Sequence, residues 1–171
     1  AGARLVSPIA LPVADKDPAA APAADALRDM QLRLIATLDR QKQEREALRD
    51  DICSQVMAVD NERVVARILS GIRHREMLRI AYADIVRGQQ LETVTTQISF
   101  LADAIIEAAV RSAWHFQQQK RGIPRLSGGE RARFAVLALG KLGGEELNYS
   151  SDIDLIFISD GNGKTDGERS V

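Results

Sequence analysis

A chain of 171 residues with 45% apolar and 27% charged residues is long enough to bury a core and is expected to form one or two globular domains. Its 23 Lys and Arg against 24 Asp and Glu leave a formal charge of −1, which argues against nucleic acid or an anionic membrane as partner and leaves only local contacts to polyanions. One cysteine, Cys53, excludes a disulfide framework and fits a reducing, cytoplasmic setting; lying among apolar residues, it reads as a buried bystander rather than a nucleophile.

The first residues, AGARLVSPIALPVADKDPAAAPAAD, have the small side chains of a secretion signal, but Pro8 and Pro12 break the apolar stretch. With Pro18 and Pro22 they make residues 1–23 an Ala/Pro-rich linker. No apolar run approaches the roughly 20 residues that span a bilayer, so no membrane segment is expected. A helical region is expected over 24–120. Leu27, Leu34, Leu38, Leu48, Ile52, Val56 and Val59 recur at helical spacing up to about Asp60, with DRQKQERE as a solvated turn or a break. A second pattern follows Asp60-Asn61 through Val65, Ile68, Leu69 and Ile72, slips near Gly71 as at a C-cap or kink, and resumes through Leu78 and Ile85 to Gly88. A third places Val94, Ile98, Leu101 and Ile105 on one stripe beside small alanines that suit close packing. Arg63, Arg67, Arg73, His74, Arg75 and Arg79 make the second helix basic, either as a solvated face or as a contact surface. Trp114 and His115 read as a core aromatic and its polar neighbour.

The character changes at RGIPRLSGG, where Gly122, Pro124, Gly128 and Gly129 punctuate the chain. Two short apolar runs of strand length follow, Phe134–Gly140 and Asp152–Ser159, separated by room for a turn and about one turn of helix. A parallel crossover would need a longer connection, so the runs are expected to pair antiparallel, which brings Gly140 beside Asp152. Period two on a strand puts Asp152 and Asp154 on one face and Ile153, Leu155 and Phe157 on the other. Two neighbouring carboxylates repel, and a divalent cation relieves that repulsion. Backbone N–H groups around Gly140, Gly143 and Gly144 would then hold phosphate oxygens beside the metal, with Lys141, Ser150 and Ser151 as further donors. The fold class expected is α+β.

A competing signal is LSGGE at Leu126–Glu130, which reads like the signature loop of an ABC-type ATPase. That family needs a phosphate-cradling G-x-x-x-x-G-K-[ST] upstream, whereas GNGKT lies downstream with Ile158 where the first glycine belongs. Ser127, Gly128 and Gly129 are therefore expected to be a turn leading into the first strand.

Gly140, eleven intervening residues and then Asp152-x-Asp154 resemble the active-site signature of the nucleotidyltransferase superfamily, whose palm is of the DNA polymerase beta type. More narrowly, LGKLGGEELNYSSDIDLIF is similar to the bifunctional glutamine synthetase adenylyltransferase/adenylyl-removing enzymes, which carry two such domains; Asn148-Tyr149-Ser150-Ser151 resembles the first copy more than the second. The helical stretch from Ile72 onward is similar to the region preceding that first copy. The resemblance implies that residues 121–171 begin a nucleotidyltransferase palm. It also implies removal of AMP from a tyrosine of glutamine synthetase by phosphorolysis, with ADP released, while the other half of such enzymes adds AMP from ATP. Asp152 and Asp154 would be the catalytic metal ligands, holding Mg2+ or Mn2+. Partners implied are glutamine synthetase, a PII-type nitrogen signal protein and glutamine as effector. The superfamily uses a third carboxylate from a later strand, and neither Asp160, Asp166 nor Glu168 is placed for it, so the chain is expected to be an inactive piece of a longer protein. A start without Met and a polar ending point the same way. Alternatives are a small stand-alone nucleotidyltransferase and a non-catalytic helical interaction module with a truncated palm.

Overall fold

The computed structural model describes residues 21–167, so residues 1–20 of the expected linker lie outside it. The described chain is three long helices followed by short strands, which bears out the α+β expectation. Helix α1 (Ala21–Met57) runs without a break through DRQKQERE and begins at Ala21, three residues inside the expected linker. Proline is tolerated there because the N–H groups of a first helical turn have no intrahelical acceptor. Two compact units divide the chain, 1–42 and 43–171. In the first, Leu27 and Leu34 do lie on a helix, yet both are exposed, as are Met30 and Ile35.

The second unit contains the last turns of α1, helices α2 (Glu62–Arg87) and α3 (Leu91–Arg121), and all the strands. Helix α2 starts where the sequence places it. Asn61 has an extended backbone and its side-chain oxygen accepts from Arg63 N (3.0 Å) and Val64 N (3.2 Å), satisfying two otherwise orphaned donors. The helix continues through Gly71, which is therefore not a C-cap; the cap is Gly88, at φ 62°, whose N–H bonds Asp84 O at 3.1 Å. A short connection turns α2 back onto α3, and Lys120 at the end of α3 meets Glu62 at the start of α2 (2.8 Å).

The core is built from Ile52, Cys53 and Val56 of α1, Val65, Leu69, Ile72 and Ile80 of α2, and Val94, Ile98, Leu101, Ala104, Ala108 and Phe116 of α3. Leu78 and Ile85, expected on the apolar stripe of α2, point outward and are 73% and 81% exposed; Ile80 is the buried residue of that half. Helix α3 is long and apolar enough to cross a membrane by length and composition alone, but eight of its residues are buried and its apolar stripe serves the core. Phe116 is the buried aromatic at its end, while Trp114 is half-buried and stacks on Phe134 (5.6 Å), which stacks on Phe157 (5.9 Å).

Strands β1 (Pro124–Leu126) and β4 (Gly163–Thr165) pair antiparallel, and β2 (Phe134–Leu139) pairs antiparallel with β3 (Asp154–Ser159), with Leu139 opposite Asp154. The second ladder is the expected hairpin. Strand β3 begins two residues later than the sequence pattern indicated, so Asp152 precedes it. The first ladder was not foreseen, since Pro124 and Gly163 read as punctuation. Between them Ser127–Gly129 form the expected turn, with Gly129 N–H on Leu126 O at 2.8 Å.

Candidate functional site

Val136, Ala138 and Leu155 form the half-buried face of the β2–β3 ladder, so the opposite face carries Leu137, Leu139, Ile156 and Ile158, each 44% exposed, together with Asp154. A carboxylate thus stands at the end of an open apolar sheet face. Immediately after β2 the chain enters the single helical turn α4 (Gly140–Gly143). Gly140 sits at φ 58°, in the left-handed region, and a Cβ there would lie 3.4 Å from Asp154 Oδ2. The structure therefore brings Gly140 directly under the Asp154 carboxylate.

The turn is held from below. Leu142 is buried and the Gly143 backbone lies so close to Ala138 that a Cβ would meet its carbonyl oxygen at 2.6 Å. Gly144 N–H closes the turn on Gly140 O (3.1 Å), and Glu146 N–H bonds Lys141 O (2.7 Å). The Gly144 amide is thus engaged within the turn, whereas the leading N–H groups of a helical turn have no intrahelical acceptor. Farther on, Leu147 is buried and donates its N–H to Ser99 Oγ (3.1 Å); Ser99, fully buried on α3, donates in turn to Thr95 O (2.8 Å). Arg45 of α1 pairs with Asp103 of α3 and with Glu145 (2.8 Å), and lies over the Phe100 ring (5.1 Å). The loop that delivers the aspartates is anchored to two helices.

Asn148 organises the next three residues. Its Oδ1 accepts from Ser150 N (3.2 Å), Ser150 Oγ (3.3 Å) and Ser151 Oγ (2.7 Å), an Asx-type turn. Lys141 Nζ reaches Ser151 Oγ at 3.4 Å, so Lys141, Ser150 and Ser151 form one polar cluster. Tyr149 hydroxyl donates to Asp84 Oδ2 (3.0 Å); partial burial and that carboxylate push its pKa up. Sequence reasoning had assigned no role to Asn148 or Ser99. Asn with Ser at two and three residues on is a recognisable turn signal, and a lone Ser inside an apolar helical stripe marks a buried polar contact.

Two acidic residues of the terminal segment are engaged by arginines. Asp160 takes Arg133 N (2.8 Å) and Nε (3.0 Å), and Asp166 takes Ile123 N (2.7 Å) and Arg125 Nε (2.7 Å); these arginine hydrogen bonds hold both carboxyls below the usual range. Asp84 and Asp103 are also partnered. Asp152 and Asp154 are exposed and form no ion pair with a described residue. No group of three metal-ligating side chains occurs among the described residues.

The family model for glutamate-ammonia ligase adenylyltransferase matches residues 20–171. The chain belongs to this family. Among curated relatives, the bifunctional glutamine synthetase adenylyltransferase/adenylyl-removing enzyme of Thioalkalivibrio sulfidiphilus is 41% identical over 122 residues, covering 70% of this chain and 12% of that protein. Its counterpart in Psychromonas ingrahamii is 36% identical over 138 residues, covering 80% of this chain and 14% of that protein. The Idiomarina loihiensis enzyme is 47% identical over 96 residues, 55% of this chain and 10% of the relative. The chain therefore spans 10% to 14% of the length of these relatives. The resemblance read from Leu139–Phe157 and from the helices before it holds, and membership of the glutamate-ammonia ligase adenylyltransferase family extends it over the whole of α1, on which the resemblance was silent.

Proposed function

We propose that this chain carries the metal-binding corner of a nucleotidyltransferase palm, in the adenylyl-removing half of an enzyme that controls glutamine synthetase. The observation that carries the reading is the placement of two aspartates two residues apart, Asp152 and Asp154, both exposed and without an ion pair to a described residue, with the Gly140 turn directly against the Asp154 carboxylate. Unpaired neighbouring carboxylates are the oxygen donors that Mg2+ or Mn2+ takes, usually as one or two carboxylates plus substrate phosphates. The donor set fits half of such a site, and the third carboxylate would come from outside these residues.

A divalent cation bound there would neutralise phosphate charge and align the attacking phosphate with the AMP phosphorus. The chain's own residues do the positioning. Gly140 leaves space beside Asp154 for a phosphate oxygen, and the N–H groups of Gly140 and Lys141 at the head of α4, with that of Gly143 at its other end, are its donors. Lys141, Ser150 and Ser151 supply side-chain donors from the cluster held by Asn148. In phosphorolysis, an oxygen of inorganic phosphate forms a bond to the AMP phosphorus while the tyrosine phenolate leaves and is protonated, giving ADP and free tyrosine. The reverse half-reaction set, AMP transfer from ATP, belongs to the other half of such an enzyme, and a PII-type signal protein and glutamine are its proposed regulators. The open apolar face of β2–β3 supports a larger palm, because a two-stranded ladder alone is marginally stable in water.

The test is phosphate-dependent release of AMP, as ADP, from adenylylated glutamine synthetase by a full-length family protein carrying this segment. Asp152→Asn and Asp154→Asn are each expected to lower turnover by orders of magnitude while the melting temperature stays within a few degrees. Retained turnover in both variants would refute the assignment.

A further inference from the structure

Next to Asp152 a cavity of about 220 Å³ opens between α2, α3 and the 147–153 loop. Its floor is buried hydrocarbon, from Ile98, Leu101 and Leu147, with Met77 and Ala102 as side walls. Its polar lining comes from Arg73 and the loop carrying Asn148 and Asp152, and both Arg73 and Asp152 are exposed. The cavity thus runs from a polar rim bearing a site carboxylate down to an apolar floor.

We infer that this cavity receives the phenol ring of the substrate tyrosine, placing its oxygen at the rim beside Asp152. The inference rests on the function proposed above and names a subsite for it. Three arguments select the occupant. Apolar cavities of about 150 Å³ accept benzene, so the space suits one six-membered ring. A phenol has a single polar atom, which matches one polar rim over an apolar floor, whereas adenine carries ring nitrogens and an amine around its edge that this floor leaves without partners. The phenol oxygen is bonded directly to the phosphorus that is transferred, so the ring must lie against the residues that hold the phosphate; the base is held away by the ribose. Arg73, expected from the sequence only as part of a basic helix face, stands at the rim, where its cation meets the phosphate or the departing phenolate.

The test needs neither metal nor turnover. N-acetyl-tyrosinamide is titrated into the chain and the methyl NMR signals of Met77 and Ala102 are followed, with adenosine titrated in parallel. The expected result is saturable displacement of both methyls by the tyrosine amide and none by adenosine at the same concentration. Ala102→Phe, which fills the cavity from α3, is expected to weaken binding by about tenfold or more. Met77→Trp fills it from α2 and serves where the first variant fails to fold, as judged by circular dichroism. No displacement in the folded chain, displacement by adenosine instead, or undiminished affinity in a folded blocking variant would overturn the inference. Ring binding in a chain that does not bind Mn2+ would sustain the subsite and refute the metal-site reading, so the two failures are distinguishable.

Discussion

Replacing Gly140 by alanine asks whether the turn under Asp154 depends on a residue without a side chain. Two costs follow from the geometry. The residue sits at φ 58°, and a residue with a Cβ loses about 1–2 kcal/mol in the left-handed region. The new Cβ would also arrive 3.4 Å from Asp154 Oδ2, close enough to press on the carboxylate without a severe clash. The expected destabilisation is therefore about 1–2 kcal/mol, or about 2–8 °C in melting temperature for a chain of this size. Gly128→Ala is the control: a Cβ there meets nothing within 4 Å and its φ is not positive, so stability should stay within about 0.5 kcal/mol. Gly143→Ala drives a Cβ to 2.6 Å from the Ala138 carbonyl oxygen and is expected to cost about 1–3 kcal/mol through a backbone shift. Urea unfolding followed by circular dichroism ranks the three. If Gly140→Ala is as neutral as Gly128→Ala, the turn does not need its left-handed residue and the argument for close approach beside Asp154 fails.

Ser99→Ala should cost about 1–3 kcal/mol, because it strands the buried Leu147 N–H, and urea unfolding should find it well below a surface Ser→Ala control. Asp160 and Asp166 have folded pKa values below the ordinary 3.8, held down first by their arginine hydrogen bonds. Their contribution is present above that value and lost as the pH falls through the depressed values, so melting curves between about pH 2 and 5 should fall on acidification, and less steeply in Asp166→Asn. Cys53 is buried and its thiol is pushed up by that burial, so iodoacetamide at about pH 8 should label it only after denaturant is added; fast labelling of the native chain would contradict its place in the core.

The sequence made the local features legible where one residue type answers one backbone need. Asn61 announced the start of α2 because its side chain caps the first turn, and the short connection between the two apolar runs left antiparallel pairing as the workable choice. The side of a helix that is buried was less legible. Period fixes which residues share a face, but Leu78 and Ile85 share one that points outward, and tertiary packing chose Ile80 instead. The β1–β4 ladder escaped notice because strands of three residues carry no alternation, and they meet across most of the terminal segment. Gly163 belongs there because a Cβ would collide with the Arg125 carbonyl oxygen, a constraint set by a partner distant in sequence. At the site, antiparallel pairing was legible but its register was not: Gly140, expected beside Asp152, lies against Asp154 because Leu139 pairs with Asp154, and Asp152 lies before the ladder, where the two-residue alternation does not fix its direction. The anchors Ser99, Arg45 and Asn148 act through side-chain contacts that no periodicity encodes.

The central claim is that Asp152 and Asp154 hold a divalent cation together. Water-proton relaxation with Mn2+ measures this on the chain itself, comparing wild type with the Asp152→Asn, Asp154→Asn double variant. The account predicts weak, saturable enhancement by the wild-type chain, competed by Mg2+, and its loss in a double variant whose circular dichroism is unchanged. Equal Mn2+ affinity in the two proteins would place the cation elsewhere and contradict the account.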